Sequence, residues 1–143
     1  MPGPTGEHNT LAFHPRGEIL CVAPSAAELL EQIAAVLATG NLALLDDHGG
    51  ELMEKLPAEL LTRVRMDPKR EEVTYAAALF AGDPQAAALL RVRLAARAGA
   101  LIPVITSGAR SGRYPLYRLV AERVVSMNTT AAGGNTTLMT LGA

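Results

Sequence analysis

Few residues of this 143-residue chain could carry covalent chemistry, and its only cysteine comes first. Cys21 lies inside the apolar run EILCVA, residues 18–23, which is typical of a short buried strand. A cysteine in such a strand is usually a small unreactive hydrophobe, and no histidine is spaced as its general base. Because a single cysteine cannot form an internal disulfide, the composition fits a reducing compartment. Catalysis by Cys21 is therefore not expected.

Carboxylates and histidines give no pattern of a metal or acid–base site. His8 and His14 have no acidic or cysteine partners at metal-ligand spacing. Asp46 and Asp47 could serve acid–base chemistry if they were paired in space, but neighbouring carboxylates on a loop are expected to be solvated. Asp83 precedes a predicted helix, where it would satisfy the helix dipole and repel a phosphate. We predict no catalytic, cofactor-binding or metal-binding residue, and neither glycine-rich nucleotide motif occurs.

The elements that would position these residues begin with a strand, a helix and a second strand. Ser25 and Glu28 form a capping box, which predicts a helix N-terminus. Leucine, isoleucine and valine then recur at helical spacing until Gly40, which is expected to end the helix. Residues 41–45 form the second strand. A strand–helix–strand unit of about 28 residues predicts parallel strands.

The rest of the chain repeats this alternation. Asp83 followed by Pro84 predicts the start of another helix, with its arginines mostly outward and Gly99 as its cap. The other predicted elements are a helix at 51–61 interrupted by Pro57, strands at 62–66, 75–80 and 101–105, a loop at 106–113, and an extended or partly helical piece at 116–127. The prediction is an α/β fold, a Rossmann-like, mostly parallel sheet flanked by helices. The predicted core includes Leu29, Ile33, Leu37, Leu79, Leu90 and Val104.

Three regions follow from this reading: a linker or extended arm at 1–16, the α/β domain at 17–123, and a C-terminal strand and tail at 124–143. The net charge of −1 argues against nucleic-acid binding. The charge is uneven, with 6 basic and 11 acidic residues up to position 71, and 7 basic and 3 acidic residues after it. Without an export signal or an apolar run of membrane-spanning length, no membrane insertion and a cytoplasmic location are expected.

The tail is the stretch whose composition most suggests a partner. Residues 126–143 carry no charge and consist largely of small side chains, which suits a chain lying flat against another surface. A frayed terminus is the competing interpretation. The tail's glycines allow close backbone approach, its asparagines both donate and accept, and its larger apolar residues can anchor it. The predicted interaction residues are Asn128, Thr129, Thr130, Gly133, Gly134, Asn135, Leu138 and Met139.

Two stretches carry a resemblance to a known family. SMNTTAAGGNTTLMTLG, residues 126–142, resembles the extreme C-terminus of the proline utilisation A flavoproteins, and PGPTGEHNTLAFHPRG, residues 2–17, resembles the join to the C-terminal domain of their longer members. The resemblance implies a bacterial parent enzyme that joins an FAD-dependent proline dehydrogenase to an NAD-dependent glutamate-semialdehyde dehydrogenase. It places this fragment in the C-terminal domain, with no cofactor of its own.

The middle of the chain also resembles an aldehyde dehydrogenase cofactor domain, through RGEILCVAP, LATGNLALLD, LFAGD and ALIPVITSGA. The differences fall at the family's functional positions. Asp46 stands where the resemblance implies a cofactor-binding lysine, and Asp83 replaces a serine at the helix that faces the pyrophosphate. Thr106 and Ser107 stand where the catalytic glutamate is implied. The resemblance thus implies the fold of a cofactor domain without its site chemistry.

Two functions remain open at this stage. The first is a non-catalytic domain whose tail packs on the dehydrogenase module of the same polypeptide, seals the cavity between the two active sites and supports assembly. The tail could instead pair with a second copy in a homodimer. The second function is a vestigial nucleotide-binding regulatory domain. The acidic strand ends favour the first function.

Overall fold

Strands and helices alternate through residues 7–66, 74–107 and 113–128, which are the parts of the chain that this computed structural model describes. Short 3-10 turns occupy Asp47–Gly49, Ala58–Leu60 and Leu116–Leu119. The main elements are β1 (Glu7–Pro15), β2 (Glu18–Val22), α1 (Ala26–Ala38), β3 (Leu42–Leu45), α2 (Gly50–Met53), β4 (Val64–Met66), β5 (Ala77–Phe80), α3 (Pro84–Ala95), β6 (Val104–Thr106) and β7 (Val120–Asn128).

Five of these strands form one parallel sheet in the order β4-β3-β2-β5-β6. β2 lies at its centre, where Leu20 is in register with Leu44 of β3 on one side and Ala78 of β5 on the other. All four strand pairings of the sheet are parallel. From β2 the chain adds β3 and then β4 on one side. It then crosses back and adds β5 and β6 on the other side of β2. The predicted α/β fold with a mostly parallel sheet flanked by helices is confirmed.

Each face of the sheet is covered by its own layer, because successive side chains of a strand point to opposite faces. Ile19 and Cys21 of β2 belong to the core that contains α1, whereas Leu20 belongs to the core that contains α3. The α1 core also takes in Tyr114 and Leu119 from the later chain. Strands covered on both sides read as continuous apolar runs, as EILCV and AALF do.

The two long helices begin where the sequence predicts. Ser25 caps α1, because its Oγ accepts a hydrogen bond from the Glu28 amide at 3.3 Å. Gly40 has a φ of 79° and follows the last turn, so the amides of residues 40 and 41 bond back to the carbonyls of Leu37 and Val36. Asp83 caps α3, but this helix ends at Ala95, so Gly99 is not its cap.

Other predicted details differ from the structure. The helix predicted at 51–61 is only α2 and a 3-10 turn, because Pro57 cannot continue a helix and sets an extended ψ of 142°. The strand predicted at 101–105 begins at Val104, and the one at 62–66 begins at Val64. Five predicted core residues, Leu29, Ile33, Leu79, Leu90 and Val104, are buried. Leu37 is half-buried and packs against the α1 core.

β1 and β7 form a separate two-stranded sheet, here called the ribbon. The described residues divide into two compact units, one of 14–121 and one of 7–13 with 122–128. The described part of the predicted extended arm is strand β1, and the piece predicted at 116–127 is a 3-10 turn followed by β7. Residues 129–143 of the predicted tail lie outside the described part of the chain.

Core packing predicts a large contrast between two adjacent leucines of α1. Leu29 is 1% exposed and Leu30 is 46% exposed. Leu29→Ala should reduce the free energy of unfolding by about 2–5 kcal/mol, through lost burial and the cavity left behind. Leu30→Ala, the matched control, should cost less than about 1 kcal/mol. Urea unfolding followed by circular dichroism measures both. Equal losses would mean that α1 presents another face to the sheet.

Candidate functional site

In an open parallel sheet, ligands bind beyond the carboxyl ends of the strands, at the point where the strand order reverses. Here the strand order reverses between β2 and β5, because β3 and β4 follow β2 on one side and β6 follows β5 on the other. The segments that follow these two strands lead directly into α1 and α3. The N-termini of both helices therefore belong to this candidate site, and a helix N-terminus attracts anions.

Each of these helix N-termini is already capped by a side chain of the protein. The Ser25 hydroxyl donates to the Glu28 carboxylate at 2.6 Å, which brings a negative charge into the first turn of α1. At α3, Asp83 Oδ1 accepts hydrogen bonds from the Gln85 amide at 2.8 Å and the Ala86 amide at 3.0 Å. These carboxylates lie at the positions where the helix amides would otherwise donate hydrogen bonds to a phosphate. Both helix ends would therefore repel an anionic ligand.

The turn between β5 and α3 is also filled sterically. Gly82 has a φ of 141°, and a Cβ atom added to it would lie 2.9 Å from Cζ of Phe80. The Phe80 ring therefore packs directly on the Gly82 backbone. Because a larger residue would meet both the ring and an unfavourable φ, glycine is required at this position. The aromatic ring takes up space beside the helix N-terminus.

Asp46, which follows β3, is buried rather than solvated, and this corrects the expectation from sequence. Its Oδ1 accepts a hydrogen bond from the His48 amide at 3.2 Å, and its Oδ2 lies 3.3 Å from His48 Nδ1. Asp46 caps the 3-10 turn that follows β3, so its carboxylate turns back to the chain. Asp47 is exposed, as expected. The carboxylate of Asp46 thus has a structural role.

Cys21 has the environment of an inert thiol. It lies in the buried centre of β2, and its Sγ is 3.8 Å from the carbonyl oxygen of Ile19. Burial raises the pKa of the Cys21 thiol far above its usual range, and the Asp46 carboxylate raises it further. A thiol held in its protonated form is a poor nucleophile and a poor metal ligand.

A buried polar pair that sequence reasoning missed joins α1 to the segment before the last 3-10 turn. Gln32 Nε2 donates to the carbonyl of Val22 at 3.0 Å and to the Tyr114 hydroxyl at 2.8 Å. Burial raises the pKa of the Tyr114 phenol, and the hydrogen bond with Gln32 acts in the opposite direction. Gln32 lies three residues after Leu29 on the apolar face of α1. A glutamine at that spacing was the signal for a buried hydrogen bond.

Two further predicted positions lie at the end of β6, and most of the others fall outside the described residues. Thr106 ends β6 and Ser107 follows it, and both are exposed. Asn128 is the last residue of β7, and the predicted interaction residues Thr129, Thr130, Gly133, Gly134, Asn135, Leu138 and Met139 lie outside the described residues. Within residues 7–66, 74–107 and 113–128, no three His, Cys, Asp or Glu side chains are grouped to hold a metal ion. Nor does any helix there have the length and apolar character to cross a membrane.

No family model matches the chain. Individual proteins do: the bifunctional protein PutA of Salmonella typhimurium is 40% identical over 147 residues, and PutA of Escherichia coli is 39% identical over 147 residues. Both matches cover 99% of this chain. By sequence, this chain is homologous to a segment of PutA. PutA of Rhizobium meliloti is 36% identical over 152 residues. The chain spans only 11% of the length of the first two relatives.

Solved structures agree with the sequence matches. A crystal structure of Bradyrhizobium japonicum PutA superposes with a TM-score of 0.57 at 25% identity, over 75% of this chain and 13% of that one. An aldehyde dehydrogenase from Brucella melitensis biovar abortus 2308 superposes with a TM-score of 0.53 at 20% identity, over 75% of this chain and 26% of that one. The second match shows the fold alone, which is that of aldehyde dehydrogenases. The resemblance to PutA is thus confirmed.

The environment of Cys21 predicts that the folded chain resists alkylation. The ordinary thiol pKa is about 8.5, so an unfolded chain at pH 9 carries mostly thiolate, whereas the folded thiol stays protonated and buried. Iodoacetamide at pH 9 should therefore modify Cys21 readily in urea and very slowly in the folded chain, as measured by mass spectrometry. Equal rates in the two states would contradict this picture of β2.

The capped helix ends predict that NAD does not bind this chain. Titration calorimetry should give no saturable heat at micromolar cofactor, because Glu28 and Asp83 place negative charge where the pyrophosphate would lie. The variant Asp83→Ser isolates the effect of charge at α3, since serine keeps the cap but removes the carboxylate. Saturable micromolar binding by the unaltered chain would favour the vestigial nucleotide-binding domain.

Proposed function

We propose that this chain is a non-catalytic domain at the C-terminal end of a bifunctional proline catabolic enzyme. The same polypeptide would carry the FAD-dependent proline dehydrogenase and the NAD-dependent glutamate-semialdehyde dehydrogenase, and act in the bacterial cytoplasm. This domain docks on the dehydrogenase module, and its tail helps to seal the cavity through which the reactive intermediate passes. The similarity to PutA, of which this chain spans a small part, supports the parent enzyme.

The observation that carries the docking role is the exposed apolar surface of the ribbon. Its exposed apolar side chains range from 45% to 63% exposed, and they are Leu11, Phe13, Val124, Val125 and Met127. An isolated two-stranded sheet is at best marginally stable in water, because a single small layer cannot bury its own side chains. Exposed apolar strands are also a surface that other chains bind. A partner surface that covers the ribbon would bury these side chains.

A second exposed apolar surface lies on α3. Leu89 and Val92 are 72% and 70% exposed and lie three residues apart, so they share one side of the helix. Leu90 and Leu94 face the sheet on the other side. A helix that is apolar on both sides is typical of one covered by two layers. The exposed arginines of this helix favour a partner surface that has carboxylates at its edge.

The side chains beyond the carboxyl ends of the strands, here called the carboxyl edge of the sheet, support a role without catalysis. Cys21 is buried with a raised pKa, and the carboxylates of Glu28 and Asp83 engage groups of the protein itself. A domain that seals a cavity needs no nucleophile or base. It needs a stable fold and a surface that excludes water from the path of the intermediate. The uncharged tail of small residues has the composition for such a surface.

A homodimer is the competing arrangement. The tail could instead pair as a strand with a second copy of the chain. Effective concentration favours the module of the same polypeptide, because a linked partner binds in an intramolecular step. Deletion of the tail distinguishes the module of the same polypeptide from a second copy of the chain as the partner.

Deletion of residues 128–143 from the intact enzyme should spare the proline dehydrogenase step and impair the transfer to the second site. The coupled rate from proline to glutamate should fall, and a lag should appear in NADH formation as the intermediate escapes into bulk solvent. Stopped-flow absorbance at 340 nm measures the lag, and reduction of an artificial electron acceptor measures the first step alone.

Paired substitutions refine this test without shortening the chain. Leu138→Ser with Met139→Ser removes the two predicted apolar anchors, whereas Thr136→Ser with Thr137→Ser changes the two preceding residues and keeps their hydroxyls. Only the first pair should produce a lag. Full coupled activity without a lag in the deletion variant, together with a change in subunit number by light scattering, would refute the sealing role and leave dimer assembly.

A further inference from the structure

Asn41 has an unusual set of contacts for a residue in a connection between a helix and a strand. It is 1% exposed, and each of its polar atoms has a partner. Its amide bonds to the carbonyl of Val36 at 3.1 Å, and its carbonyl accepts from Arg63 Nη2 at 3.0 Å. Its side chain reaches Gly17, Thr39 and Leu119. One asparagine thus joins four separate segments of the chain.

The turn at the end of α1 fixes the position of this side chain. The positive φ of Gly40 closes the helix and brings the Asn41 amide back to the last turn. Asn41 Nδ2 donates to Thr39 Oγ1 at 2.8 Å, and Thr39 Oγ1 in turn donates to the carbonyls of Ala35 and Val36. The backbone and the side chain of Asn41 are therefore both held by the C-terminal end of α1.

The two distant partners of Asn41 lie next to the strands of the ribbon. Its Oδ1 accepts from the Gly17 amide at 2.9 Å, two residues after the end of β1. Its Nδ2 donates to the buried carbonyl of Leu119 at 2.8 Å, one residue before the start of β7. A second bond joins the same two segments, because Arg16 Nη1 donates to the carbonyl of Arg118 at 3.1 Å.

We propose that Asn41 supports the pairing of β1 with β7: its side chain holds the two segments that adjoin these strands together at the end of α1. The Asn41 clamp comprises Asn41, Gly17, Thr39 and Leu119. The consequence for the intact enzyme rests on the proposed docking function, but the clamp itself does not.

The chemistry of the side chain explains why an amide suits this place. Asparagine is short and carries an acceptor and two donor hydrogens on one group. Aspartate would keep the acceptor for Gly17 but lose the donor to Leu119, and leucine would lose both. Removal of the amide would leave the Gly17 N–H and the Leu119 carbonyl without these partners, at the cost of groups left unpaired away from water.

Hydrogen exchange of the full 143-residue chain tests the clamp directly. In Asn41→Ala, amide exchange in β1 and β7 should rise by about tenfold to a hundredfold more than exchange in β2 and β3, because two hydrogen bonds to their adjoining segments are lost. Val36→Ala is the matched control. It removes buried volume from the same end of α1 without removing a clamp bond, and it should raise exchange in all strands alike.

Three outcomes would overturn the proposal. One is an equal rise in all strands in Asn41→Ala, and another is a ribbon that already exchanges like unfolded peptide in the unaltered chain. If Asn41→Ala does not fold, Arg16→Ala replaces it, since Arg16 is exposed and loses only the bond to the Arg118 carbonyl. A smaller rise confined to β1 and β7 is expected, and no rise at all is the third contradicting outcome.

The intact enzyme separates the clamp from the docking function. Asn41→Ala should there produce a lag in NADH formation while the proline dehydrogenase rate is unchanged, whereas Val36→Ala should show no lag. Ribbon-selective exchange in the chain without a lag in the enzyme would retain the clamp and reject the sealing role. A lag without ribbon-selective exchange would reject the clamp.

Discussion

The complete burial of β2 is the constraint on which the other elements depend. Residues Ile19, Leu20 and Cys21 are at most 1% exposed, and their backbone is paired with β3 on one side and β5 on the other. A parallel strand covered on both faces needs a helix on each, since its neighbours can be reached only by crossover connections. α1 and α3 supply those layers. The interior therefore needs none of the groups at the carboxyl edge for its stability.

Because the interior does not depend on these groups, the fold of a cofactor domain can exist with the protein's own side chains at the carboxyl edge. Ser25 and Asp83 satisfy the helix N-termini, and Asp46 caps the 3-10 turn after β3. Each of these polar side chains stabilises the backbone locally, a task that in a nucleotide-binding domain is shared with the ligand. The Phe80 ring on Gly82 adds packing at the same place. The edge is thus occupied by the protein's own side chains.

The parts of the fold that could be predicted from the sequence are those set by residues close together in the chain. The capping box at Ser25, the apolar spacing after it and the Asp83–Pro84 pair act within a few residues, and both long helices follow from them. The pairing of β1 with β7 was not predicted, because it joins segments more than a hundred residues apart. The buried positions of Gln32 and Asn41 depend on Tyr114 and Leu119, which lie 82 and 78 residues further along the chain. Asp46 was misjudged because its carboxylate caps the following turn through the His48 amide and is buried there.

The apolar surfaces of the ribbon and of α3 have one physical consequence. Each leaves large apolar side chains exposed to water, and exposed apolar side chains that lie near one another favour association. A module tethered in the same polypeptide meets such a surface at high effective concentration, so modest affinity suffices. Because Asn41 joins the two segments next to β1 and β7, the ends of these strands are held close together while the ribbon makes such a contact.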